Sequence, residues 1–364
     1  SSDLDSLVLP SSLQRVEEGA FTDCVLREVV LFDSLREIGD KSFIGCEGPE
    51  RLRVNAAVSP VYSGSYYDTF ADKYDRLLAL RDAKKIVLAS GSSGRYGYDS
   101  AAVDAAFPAY EVVNMGVYAY SNAKPQLELI RGQMQAGDIL LSAPEFDAVA
   151  QQFCVSDRLD ASFWAMMESN YDLVSELDLS GYSCVFDSFA EYQRIRGRME
   201  AKSYGVSPAN YDDDGNYYAF STYNEYGDFI LPRLNGDRDE RQHENIADYT
   251  VASFPPEVIE RLNAVYEPFQ ARDIDVFFSF TPRNRSSLTE ESTPEARAEL
   301  QEYLTERLCV PVISELEDYL LSGVYFWKID SHTSTEGAKL RTEQVIEDLQ
   351  IAMAQLGSAG GEKP

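Results

Sequence analysis

From residue 85 onward, short apolar runs alternate with longer stretches whose apolar positions recur every three to four residues. The runs at 86–89, 110–115, 138–142, 276–280 and 309–312 predict strands. Residues 124–135, 256–271, 293–308 and 335–356 read as helices. Strands apolar on both faces and separated by helices predict a mainly parallel sheet covered on both sides. In such a fold, ligands sit beyond the carboxyl ends of the strands, where the strand order reverses. The first run stops at once on Ser90-Gly91-Ser92-Ser93-Gly94, so a cluster of small residues falls at that place. Residues 155–250 are less regular and read as a turn-rich insertion. Its Asp212-Asp213-Asp214 run lacks the spacing of an EF-hand loop.

The N-terminal pattern is different. "LPSSLQRVEEGAFTDC" at 9–24 returns as "LFDSLREIGDKSFIGC" at 31–46, so Leu9/Leu31, Leu13/Leu35, Val16/Ile38, Phe21/Phe43 and Cys24/Cys46 keep one fixed offset. A fixed period of this length predicts a solenoid whose coils stack their apolar sides. The units resemble BspA-type leucine-rich repeats over residues 1–56, with Phe21, Phe43, Cys24 and Cys46 expected in the core. Two full units and part of a third are too few to stand alone, so this segment is expected to stack on the α/β domain. Residues 57–84 form a connecting segment, ending in an amphipathic helix marked by Tyr74, Leu77, Leu78 and Leu80. The α/β domain then occupies 85–364.

Composition narrows the function. The formal net charge is -29, a field that repels nucleic acid and anionic lipid. No run approaches the roughly 20 apolar residues of a membrane span. The five cysteines show no metal-ligand spacing and read as free thiols. The chain opens on Ser1 rather than Met, and an export leader is expected ahead of it.

A serine is a weak nucleophile without a base, usually histidine, and the chain has two. His243 lies in "RDERQHENIAD", a charged stretch without apolar pattern, and reads as exposed and inert. His332 follows Asp330 by two residues, after an aromatic stretch and before a long helix. Asp330 is placed to orient the imidazole and stabilise its cation. A P-loop is excluded, since no Lys-Ser/Thr follows the glycines, and their spacing also fails the dinucleotide fingerprint.

"SGSSGRYG", "NMGVYAYS" and "DSHTSTEGAKLRT" together resemble the first, second and fifth blocks of the SGNH (GDSL-like) hydrolases. The resemblance implies a flavodoxin-like α/β fold, a mainly parallel sheet flanked by helices, behind the small leucine-rich-repeat segment. It implies Ser92 as nucleophile, His332 as base and Asp330 as its partner, with the N–H groups of Ser92 and Gly116 forming the oxyanion hole. Two departures stand out. Gly91 replaces the usual aspartate of the first block. In the third block, Ser142-Ala143-Pro144-Glu145 replaces the asparagine that completes the hole. Losing one such donor costs about 2.7–4 kcal/mol, and an anionic Glu145 would repel an oxyanion. Asn122 or Asn284 would have to complete the hole; these two and Glu145 are the candidate substrate contacts. No metal or organic cofactor is implied. The expected activity is hydrolysis of an O-acyl ester, of a small molecule or a glycan, by an extracellular or cell-surface bacterial protein. The alternatives are an acyltransferase with the same triad, or a surface binding or adhesion protein that keeps the fold and contacts a ligand through its repeats.

Overall fold

The computed structural model describes residues 3–61, 67–146, 155–196, 210–211, 217–218, 223–236, 243 and 246–359. Asp212, Asp213, Asp214 and Cys154 lie outside the described residues. The chain forms two compact units, Ser1–Asp72 with Ser121–Gly132 and Ser156–Thr222, and Lys73–Tyr120 with Gln133–Val155 and Tyr223–Pro364.

In the first unit the sequence period becomes strand register. Strands β1 (Asp3–Val8), β3 (Val25–Phe32) and β5 (Arg51–Asn55) form a parallel sheet, and β2 (Arg15–Val16) pairs in parallel with β4 (Glu37–Ile38). Asp3 pairs with Val25 and Arg15 with Glu37, both 22 residues apart, the offset of the repeated motif. The corners repeat as well. Gly19 and Lys41 take φ of 69° and 60°, and Asp23 and Gly45 take 54° and 75°. Such left-handed turns suit glycine and strain other residues. Leu9, Leu31, Leu35, Val16, Cys24 and Phe43 are buried, while Phe21 and Cys46 are only half-buried. The thiols of Cys24, Cys46, Cys184 and Cys309 are free.

The solenoid packs on the stretch expected to be a turn-rich insertion. That stretch contains α5 (Ala161–Met167), a 3-10 turn at Tyr171–Glu176, and α6 (Val185–Arg196). Phe43 stacks on Phe186 of α6 at 4.2 Å. Arg196, 2% exposed, ion-pairs with Glu168 at 2.6 Å and with Asp33 of the solenoid at 3.3 Å. Asp33 also accepts backbone N–H groups of Ala57 and Val58, so the repeat's end is tied down by charge as well as by packing. Removing one partner from a buried pair costs about 3–5 kcal/mol, because the other charge is stranded.

The second unit holds a parallel sheet of β6 (Lys85–Ser90), β7 (Glu111–Asn114), β8 (Ile139–Ala143) and β11 (Asp275–Phe278). The order across the sheet is β7-β6-β8-β11, and Val312 bridges to Phe278 in parallel on the far side. β6 therefore lies at the reversal of strand order, with β7 on one side and β8 on the other. Its start is fixed by a buried pair: Lys85 Nζ meets Asp138 at 2.6 Å, both side chains fully buried. Helices α1 (Thr69–Ala79), α4 (Ala123–Gly132), α7 (Pro256–Gln270), α8 (Pro294–Arg307) and α9 (Thr335–Ala359) agree with their expected segments to within a few residues at their ends. Among the described residues no helix is long and apolar enough to cross a membrane.

Candidate active site

β6 ends at Ser90, Gly91 turns the chain, and α2 (Ser92–Gly97) begins directly, all six of its residues buried. The turn is built for glycine. A Cβ on Gly91 would lie 2.6 Å from the Ala119 Cβ and 2.7 Å from Glu145 Oε1, so the aspartate usual at this place does not fit. Glu145 follows β8, the neighbouring strand, and its Oε1 accepts the N–H of Ser93.

Ser92 is 9% exposed. Its hydroxyl lies 2.8 Å from His332 Nε2 and 3.4 Å from Glu145 Oε1. The hydroxyl has one proton to donate, and the shorter contact favours the imidazole when that ring carries its own proton on Nδ1. The loop bearing His332 is held on both sides. Trp327 N–H donates to His332 O at 2.7 Å, and Thr333 Oγ1 donates to Tyr96 O at 3.0 Å. The Tyr96 ring lies 4.4 Å from the imidazole. Burial first, then the charges of Arg233, Arg95, Arg283 and Lys328, push His332 down to about 3. The imidazole is therefore neutral at physiological pH and available as a proton acceptor. Its cation is disfavoured by the same surroundings.

Asp330 departs from expectation. Among the described residues its carboxylate does not bond His332. It accepts Asn284 Nδ2 at 2.8 Å and faces His243 Nδ1 at 3.2 Å. The local reason is the loop itself, since Asn284 N–H also donates to Asp330 O at 2.9 Å and draws the residue toward β12 (Arg283–Asn284). His243, expected to be inert, is thereby drawn in. Nothing in its charged sequence neighbourhood signals this.

The oxyanion donors depart as well. Gly116 N–H donates to Asn114 Oδ1 at 2.8 Å, so it is engaged with a side chain rather than turned toward Ser92. Asn114 is fully buried, and its amide also reaches Gly94 O at 3.0 Å and Asp228 at 2.8 Å. A polar residue closing the apolar run Val112-Val113 was the sequence signal for it. Gly116 is required there because a Cβ would fall 2.4 Å from Arg95 N. Its carbonyl accepts the buried Lys73 ammonium, whose pKa burial pushes well down.

Neither asparagine completes the hole. Asn122, in the first unit, spends its amide on Ser156 O at 2.6 Å and Arg158 O at 3.2 Å. Asn284 is committed to Asp330 and to capping Ser286 N at 3.1 Å. The site is thus a Ser92–His332 dyad with Glu145 beside the nucleophile.

Comparison with known proteins bears on the N-terminal segment. Residues 1–72 match the family model described as BspA type Leucine rich repeat region (6 copies). The match covers 72 of 364 residues and extends beyond the 56 expected from the motif. No curated protein matches the chain.

Proposed function

We propose that the chain is a serine esterase of SGNH type, acting on an O-acylated carbohydrate at the bacterial cell surface. The observation that carries this reading is the 2.8 Å contact between Ser92 and His332, 240 positions apart in sequence. It lies beyond the carboxyl end of β6, in a sheet whose order with the Val312 bridge follows the flavodoxin-like pattern. The surface location is supported by the BspA-type match at 1–72.

Ser92 Oγ attacks the acyl carbon as its proton passes to His332 Nε2. The bond to the leaving alcohol breaks as that proton is delivered to the departing oxygen. Water then gives a proton to Nε2 and releases the acyl group; an acceptor hydroxyl in its place makes the reaction a transfer. The N–H of Ser92 is the donor retained from the expected oxyanion pair.

A different observation favours a binding protein without turnover. The N–H of Gly116 is spent on Asn114 and that of Ser93 on Glu145, so two donors near the nucleophile face acceptors already. Release of p-nitrophenol from short acyl esters separates the two readings. The wild-type chain should turn over, and Ser92→Ala and His332→Gln should fall to the buffer rate with unchanged melting temperature. No turnover by the wild type, or turnover surviving Ser92→Ala, overturns the esterase reading. Glycan binding indifferent to Ser92→Ala would then support the second.

A further inference from the structure

We propose that Asp330 acts through His243 rather than through His332, and that this pair positions the loop carrying the base. The inference rests on the esterase reading above for its kinetic consequence, but not for its structural one.

Asp330 is fully buried, and a buried carboxylate needs donors around it. Asn284 supplies one at 2.8 Å, and His243 Nδ1 stands at 3.2 Å from the same oxygen, Oδ1. The next residues of the loop are fastened separately: Arg233 Nε donates to Thr333 O at 3.0 Å, and Trp327 N–H to His332 O at 2.7 Å. The Asp330 pair is the corresponding fastening upstream of His332. It joins the segment containing His243 to the loop whose next-but-one residue meets Ser92. The cations Arg233, Arg95, Arg283 and Lys328 act on His332, while the carboxylate two residues away is directed at the other imidazole. Asp330 and His243 are therefore positioning residues, and the reacting pair is a dyad.

The two arrangements differ in size of effect. Loss of a triad aspartate lowers kcat about 10⁴-fold, whereas displacement of a base by a loosened loop costs about 10–100-fold. Asp330→Asn should give the smaller loss with KM unchanged. His243→Ala should match it, and His243→Asn, whose amide nitrogen takes the place of Nδ1, should recover most of the rate. A rate unaffected by His243→Ala, or a 10⁴-fold loss in Asp330→Asn, overturns the proposal.

Ring ¹⁵N signals give a readout independent of turnover. The chain has two histidines, so His243→Asn assigns both. Asp330→Asn should shift the His243 signals and leave those of His332 in place; the reverse overturns the proposal. If Asp330→Asn fails to fold, the His243 variants still decide it. A wild-type chain without turnover defeats the esterase reading alone, because the ring signals still report on the pair.

Discussion

A carboxylate that accepts a backbone N–H beside the nucleophile competes with any oxyanion formed there. Glu145 is 4% exposed and touches both the Ser93 N–H and the Ser92 hydroxyl, so its charge opposes the step that the dyad is arranged to perform. Glu145→Gln keeps an acceptor for Ser93 and turns a donor amide toward the reacting centre. One oxyanion donor is worth about 10²–10³ in kcat at full effect, and an imperfectly aimed amide should deliver about tenfold of that. Steady-state kinetics on short acyl esters checks this, and an unchanged or lower kcat argues against it. His332 sets the pH behaviour. Its imidazole is held at about 3 in the folded chain against an ordinary 6.5, so the unfolded chain binds more protons between those values. Its share of stability is complete above about 6.5 and is lost as pH falls toward 3. Between pH 7 and pH 5 the melting temperature of the wild type should therefore fall more than that of His332→Asn. Parallel slopes would place the imidazole in a wetter site than its neighbours imply.

At the scale of elements, legibility followed the length of the pattern. The 22-residue offset of Leu9/Leu31 and Cys24/Cys46 is the offset of Asp3 and Val25 in the sheet, so the repeat could be read directly. The strand that delivers Ser92 was equally plain, because Ile86 to Ala89 is apolar throughout and stops on small residues. The helices α5 and α6 were missed. Phe163, Trp164, Met166 and Met167 crowd into seven residues, and Asn170 starts a 3-10 turn after them, so no period is sustained over the 11–18 residues a helix signal needs. Asp330 misled for the opposite reason: proximity in sequence to His332 implied a bond that the pull of Asn284 prevents. The fit of the solenoid on this helical stretch can be tested at one atom. A Cβ on Gly48 would lie 1.8 Å from Leu179 O, and backbone cannot move aside cheaply. Gly48→Ala should cost about 2–3 kcal/mol, seen as a lower urea midpoint. A loss within the ±0.5 kcal/mol of ordinary surface changes would show that the two segments do not meet there.

For the whole molecule, the order of the chain and the order of its packing differ. Residues 121–132 and 156–222 belong with the repeats although they are encoded between strands of the parallel sheet. A division at residue 57 therefore separates Phe43 from Phe186 and Asp33 from Arg196, contacts that hold one compact unit together. Deleting residues 1–56 would leave Arg196 and Glu168 facing each other without Asp33, and would uncover the Phe186 ring. The strands β6, β7, β8 and β11 draw their hydrogen bonds from one another and their first buried pair from Lys85 and Asp138, all within the other unit. Units that are compact by themselves can open separately. In the chain lacking 1–56, backbone amides of α5 and α6 should exchange with deuterium at least tenfold faster, about 1.4 kcal/mol of lost protection, while those of the four strands keep their rates. Equal acceleration in β6 and β8 would mean that the sheet depends on the solenoid. Unchanged exchange across 161–196 would mean that the helices need no partner.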